Sequence, residues 1–128
     1  MKKLITFFVC SALLLGAVSS VSADGHKKSE YAPNSVIHVL TVSWKEDASE
    51  KQIQAALDGV VTLAKEYDGI TRVWIKTIKA QGERSHAFVM EFKNEKALED
   101  YAGSDAQKAW YEVYIPVRER STTFDITN

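Results

Sequence analysis

From residue 35 to residue 128 the sequence predicts an α+β fold whose main elements alternate as strand, helix, strand, strand, helix, strand. Three observations predict it. The stretch Ser35 to Trp44 alternates with a period of two. From Ser49 onward, apolar residues recur at three- and four-residue steps, the signature of one helix face. Ala80-Gln81-Gly82-Glu83, between two further alternating stretches, has the length of a hairpin connection. With right-handed crossovers this order is the split βαβ arrangement, and it sets the first and third strands side by side and, as read here, parallel in the middle of the sheet.

The chain opens with a different kind of segment. Met1-Lys2-Lys3 is a short positive region, Leu4 to Val18 is mostly apolar, and Val21-Ser22-Ala23 offers small residues for cleavage. Residues 1–23 therefore read as a secretory signal peptide, and export to a periplasm or to the outside is the expectation. A membrane tether would need an apolar span of about 20 residues, which Ser19, Ser20 and Ser22 interrupt. Cys10, the one cysteine, leaves with the leader, so the mature chain offers neither disulfides nor a cysteine zinc site. Of 16 basic residues the leader holds Lys2 and Lys3, leaving 14 against 17 acidic ones. That balance does not suggest nucleic acid as a partner. Residues 24–34 are polar, contain Gly25 and Pro33, and read as a flexible linker in which His26 is simply solvated.

In the first strand Val36, His38, Leu40, Val42 and Trp44 share one face, and Ile37, Val39, Thr41 and Ser43 share the other. Both carry apolar groups. The chain's own helices can cover one face, and a second copy of the chain is the simplest cover for the other. Ser49 with Gln52 forms a capping box for a helix running to about Tyr67, with Ile53, Ala56, Leu57, Val60, Ala64 and Tyr67 on its apolar face. Gly69 is expected to stop it in a left-handed conformation. Strand two, Ile70 to Lys79, places Thr71, Val73, Ile75 and Thr77 on one side. Strand three, Ser85 to Lys93, places His86, Phe88, Met90 and Phe92 on one side and Ala87, Val89 and Glu91 on the other. The expected dimer interface is accordingly Ile37, Val39, Val73, Ile75 and Val89. Asn94 caps a helix to Tyr101, Gly103 breaks it, and Ser104 or Asp105 starts a further helical piece carrying Ala109, Trp110 and Val113. The last strand, Arg118 to Thr127, is expected to turn Phe124 and Ile126 inward.

This topology is expected to put His38 and His86 at similar depth on neighbouring strands. Imidazoles in an apolar layer need hydrogen-bond partners. Two readings stand: each histidine bonds a buried group and specifies packing, or both line a pocket with Tyr101 and serve proton transfer or ligand orientation. Two histidines without a third ligand make a poor metal site, and no cofactor is expected.

At these residues the chain resembles the stress-responsive dimeric α/β-barrel, or Dabb, family. The resemblance rests on His38 to Lys45, His86 to Phe92, Asp100-Tyr101, Ala106 to Trp110 and Phe124-Asp125. It implies a ferredoxin-like fold whose sheets pair face to face in a homodimer. Members similar to plant polyketide cyclases carry Tyr-x-x-His-Pro-x-His, the tyrosine and last histidine serving ligand positioning and acid/base work. Here Tyr101 is kept, while Ser104 and Gln107 stand at the two histidine positions. Glutamine does not trade a proton near neutral pH, and a general acid/base typically contributes about 10²–10⁴-fold. The resemblance therefore implies a pocket around His38, His86, Tyr101, Gln107 and Trp110 without the reaction. The expected function is an exported, non-catalytic homodimer that binds a small apolar or aromatic molecule. A lyase- or cyclase-type enzyme acting on a polyketide-like or aromatic molecule is the alternative.

Overall fold

The computed structural model describes residues 34–128. The expected leader, and the expected linker apart from Asn34, lie outside the described residues. Seven elements follow in order: β1 (Val36–Trp44), α1 (Glu50–Glu66), β2 (Ile70–Trp74), β3 (His86–Phe92), α2 (Glu95–Tyr101), α3 (Asp105–Tyr114) and β4 (Arg118–Ile126). The strands form one sheet in the order β2-β3-β1-β4, every neighbouring pair antiparallel. This is the ferredoxin-like α+β fold. The expected parallel pairing of β1 and β3 is corrected by the connections. A right-handed crossover through α1 leaves β2 parallel to β1 with a gap between them, and the hairpin returns β3 through that gap, opposed to both neighbours.

Local chemistry sets each helix. Ser49 and Gln52 form the capping box of α1, Gln52 N donating to Ser49 Oγ at 3.3 Å and Ser49 N to Gln52 Oε1 at 3.0 Å. Ala56, Leu57, Val60 and Leu63 are its buried face. Gly69 does not take the expected left-handed conformation. The Tyr67 ring occupies the space a side chain would need there, 2.2 Å from the position of a Cβ, so close approach rather than backbone freedom requires glycine. Asn94 caps α2 through Ala97 N at 2.9 Å. Gly103 does turn left-handed, at φ 78°, and Ser104 then caps α3.

The core lies between helices and sheet. Val36, Leu40 and Val42 of β1 and Phe88, Met90 and Phe92 of β3 point inward with the α1 face, closed by Tyr101, Trp110, Tyr114 and Val117. Trp110 stacks on Tyr114 with centroids 4.5 Å apart, Phe88 meets both edge-on, and Trp110 Nε1 donates to Ala56 O at 3.0 Å. On α3, therefore, Trp110 and Tyr114 face inward while Val113 is exposed.

A register shift between Ile70 and Arg72 decides the faces of β2. The irregularity lets both Ile70 and Val73 face the core, and turns Arg72 and Trp74 outward. Val73 and Ile75, expected at a dimer interface, instead pack against the core. The outer face carries a cross-strand row of Trp74, Val89, Val39 and Phe124, flanked by Ile37 paired with Ile126. Trp74, Phe124 and Ile126 are roughly half exposed, so the row is open in the single chain.

One carboxylate is buried on that face. Glu91 accepts from Arg72 through Nε and through Nη2 at 2.9 Å, from Ser35 Oγ at 2.8 Å and from Thr71 Oγ1 at 3.1 Å. Arg72 above all, with Ser35 and Thr71 helping against the cost of burial, holds the Glu91 carboxyl down at about 2, from an ordinary 4.5. A carboxyl with a lowered folded pKa stabilises fully above its unfolded value and loses that contribution as pH falls toward the folded one. Urea titrations should therefore show Glu91→Gln less stable than wild type at neutral pH, with a shallower loss of stability between pH 4.5 and about 2. Parallel acid limbs for the two proteins would show that this pair does not set them.

Candidate functional site

The helices leave β4 partly uncovered, and a cleft of about 270 Å³ opens over it. Its sheet-side wall is the inward face of β4, where Arg118, Ser121, Thr123 and Asp125 stand opposite Trp44, Val42, Leu40 and His38 of β1. Phe124 and Ile126, expected inward, are correspondingly outward, opposite Val39 and Ile37. Across the cleft lie Tyr101 from the end of α2 and Gln107, Trp110, Tyr111 and Tyr114 from α3. One wall is polar and the other aromatic.

At one end His38 Nδ1 donates to Asp125 Oδ1 at 2.5 Å. A carboxylate only accepts, so Nδ1 carries a proton on an imidazole that lines the cleft. The His38 ring is braced edge-on by Phe92 and Tyr101, at 5.7 and 6.3 Å between centroids. Asp125 is half exposed, which lets water share its charge.

Two phenols define the interior. Tyr101 and Tyr114 are 3% and 1% exposed, and neither hydroxyl has a partner at ordinary hydrogen-bond distance; Gln107 lies near Tyr101, and Ser121 and Arg118 lie near Tyr114, as longer polar contacts. Burial pushes the Tyr101 phenol well above its ordinary range, with nearby Tyr111 adding to the effect and Gln107 opposing it. Burial also raises Tyr114, against the opposing influence of Ser121 and Arg118. Both are thus neutral donors near neutral pH. Gln107 has another task. Its Oε1 accepts from Gly103 N at 2.7 Å and its Nε2 donates to Tyr111 Oη at 3.3 Å, while its own N–H is capped by Ser104 Oγ.

The structure thus brings His38, Tyr101, Gln107 and Trp110 together and places His86 elsewhere. His38 pairs with Met90, so His86 lies four residues along β3 from it, roughly 13 Å at strand rise. Antiparallel pairing puts the two histidines at opposite ends of the strands, against the expectation of similar depth. His86 Nδ1 accepts from Trp44 Nε1 at 2.9 Å, beside a separate cleft with Gln54, Lys76 and Thr77. Asp125, Tyr114, Arg118, Ser121 and Thr123 were not expected at the site. Tyr114 was within reach of sequence reasoning, since it lies four residues from Trp110 on the same helix face. Among the described residues no group of three His, Cys, Asp or Glu is arranged to hold a metal ion.

The family model described as Stress responsive A/B Barrel Domain, Dabb, matches residues 36–128. The chain belongs to this family. No curated protein matches the sequence. Among solved structures, this Dabb domain is similar to a hydroxynitrile lyase from Passiflora edulis, at 16% identity and a TM-score of 0.68, over 76% of this chain and 95% of that one. A Dabb family protein with a ferredoxin-like fold from Mesorhizobium loti is similar at 17% identity and a TM-score of 0.62, over 73% of this chain and 96% of that one. A dimeric protein of unknown function and ferredoxin-like fold from Bacteroides fragilis is similar at 16% identity and a TM-score of 0.61, over 77% of this chain and 99% of that one. At these identities the likeness shows the fold.

A buried hydroxyl without a partner costs stability. Tyr101→Phe should therefore raise the unfolding free energy by about 1 kcal/mol, measured by urea denaturation. A clear loss of stability would mean that the hydroxyl is partnered in the folded protein.

Proposed function

We propose that this Dabb domain works as an exported homodimer that binds a small apolar or aromatic molecule in the cleft between β4 and α3, without turning it over. The observation that carries the reading is the pair of buried phenols, Tyr101 and Tyr114, which line the cleft and to which the chain itself offers no partner at ordinary hydrogen-bond distance. Donors held unsatisfied in a dry aromatic wall are stabilised once a ligand supplies acceptors. Export is supported by the leader pattern of residues 1–23. Homodimerisation is supported by the open apolar row of the outer face and by the dimeric state given for similar ferredoxin-like proteins. Native mass spectrometry of residues 24–128 should show a dimer retaining a small molecule, with retention weakened in Tyr101→Phe.

Val39 sits inside the apolar row, between Val89 and Phe124. Val39→Lys places a charge there and should convert the dimer to monomer or to insoluble protein by light scattering. A soluble, folded Val39→Lys dimer would assign the contact to another face.

The His38–Asp125 pair favours a second reading, a lyase or cyclase acting on an aromatic molecule. A carboxylate-oriented imidazole can accept a proton while neutral phenols steady the developing oxyanion. Mandelonitrile is a direct probe, because its cleavage releases benzaldehyde, which absorbs in the ultraviolet. Release that disappears in His38→Phe would establish this reading, whereas release no faster than in that variant favours binding alone.

A further inference from the structure

We propose that the molecule taken up by this cleft is a monocarboxylate with a flat apolar body, its carboxylate received by Arg118 and by the hydroxyl of Tyr114. The proposal rests on the reading of the cleft as a ligand site and adds the chemical class. Arg118 lines the cleft, yet it forms no ion pair among the described residues. Its Nη1 donates to Ser121 Oγ at 3.2 Å, and the guanidinium lies over the Tyr114 ring at 5.6 Å. A guanidinium has five donors in a planar fork, so most remain for a ligand. Beside it is the hydroxyl of the buried Tyr114, which has no partner at ordinary hydrogen-bond distance and only longer contacts to Ser121 and to Arg118 itself.

The other charges fix the orientation. Asp125, the carboxylate of the cleft, is engaged by His38 at the opposite end. Arg118 stands opposite Trp44, six residues along β1 from His38, roughly 20 Å at strand rise. An anionic group is therefore drawn to the Arg118 end and kept from the Asp125 end. A planar carboxylate matches the guanidinium fork through two parallel bonds and has lone pairs left for Tyr114. A single guanidinium offsets one negative charge, which favours a carboxylate over a doubly charged phosphate. Trp110, Leu40 and Leu98 supply apolar surface for the remainder.

The test compares naphthoate with naphthamide, which share a body and differ in charge, by isothermal titration calorimetry on the mature chain. The wild type should bind naphthoate about tenfold more tightly than naphthamide, about 1.4 kcal/mol. Arg118→Met should abolish that preference, with an unchanged circular dichroism spectrum certifying the fold. Arg118→Lys should restore the preference in part. Wild-type protein that binds both probes equally overturns the carboxylate while leaving the ligand site in place. Binding of neither probe overturns the ligand site and the carboxylate together.

Discussion

The pairing of β4 with β1 is the constraint on which the rest of the molecule depends. Val39 opposes Phe124 and Leu40 opposes Thr123, with one irregularity between Ser43 and Trp44. Because strand side chains alternate, this register sends Phe124 and Ile126 to the open face and Ser121, Thr123 and Asp125 to the helix side. A strand with the opposite phase would have turned Arg120, Thr122, Phe124 and Ile126 toward α3 and taken Ser121, Thr123 and Asp125 out of the cleft. The polar wall of the site is therefore a matter of backbone register before it is one of side-chain chemistry.

The opposite wall is a fixed aromatic layer that carries two buried hydroxyls. Trp110 and Tyr114 stack, Phe88 closes on both, and the Trp110 indole N–H is bonded to Ala56 O, so the aromatic layer is fixed. Into that layer the chain places two phenols where phenylalanine would pack as well and carry no unsatisfied hydroxyl. Gln107 is explained differently. It ties the start of α3 to Gly103 and holds Tyr111, so at a position where the resemblance expects an acid/base histidine this chain has a helix-end brace.

Much of the fold was legible because local signals and periodicity agreed. Ser49 with Gln52, Asn94 and Gly103 mark helix ends, and β1 and β3 have unambiguous inward faces. What failed was non-local or irregular. The shift at Ile70/Arg72 exchanged the faces of β2, moving Val73 inward and Trp74 outward, and nothing in Ile70-Thr71-Arg72-Val73-Trp74 announces the extra residue. The sense of β3 against β1 follows from the connections, and reading it as parallel brought His38 and His86 together when antiparallel pairing separates them. For β4 the sequence assigns the inward phase to Phe124 and Ile126 because they are apolar, and the pairing with β1 puts both on the open face instead. His38, Tyr101, Gln107 and Trp110 were reachable from sequence. The groups that give the cleft its charge, Asp125 and Arg118, were hidden by that misassigned phase.

Assembly and the site meet in β4. β4 contributes Phe124 and Ile126 to the apolar outer row and Arg118, Ser121, Thr123 and Asp125 to the cleft, alternately along one edge strand. An edge strand is the element freest to slip, and a slip by one residue would exchange the two sets completely. A second copy covering Phe124 and Ile126 would penalise any such slip, because it would expose those side chains and bury charged ones in their place. Dimerisation would thus hold Asp125 opposite His38 and Arg118 beside Tyr114 without touching any of them.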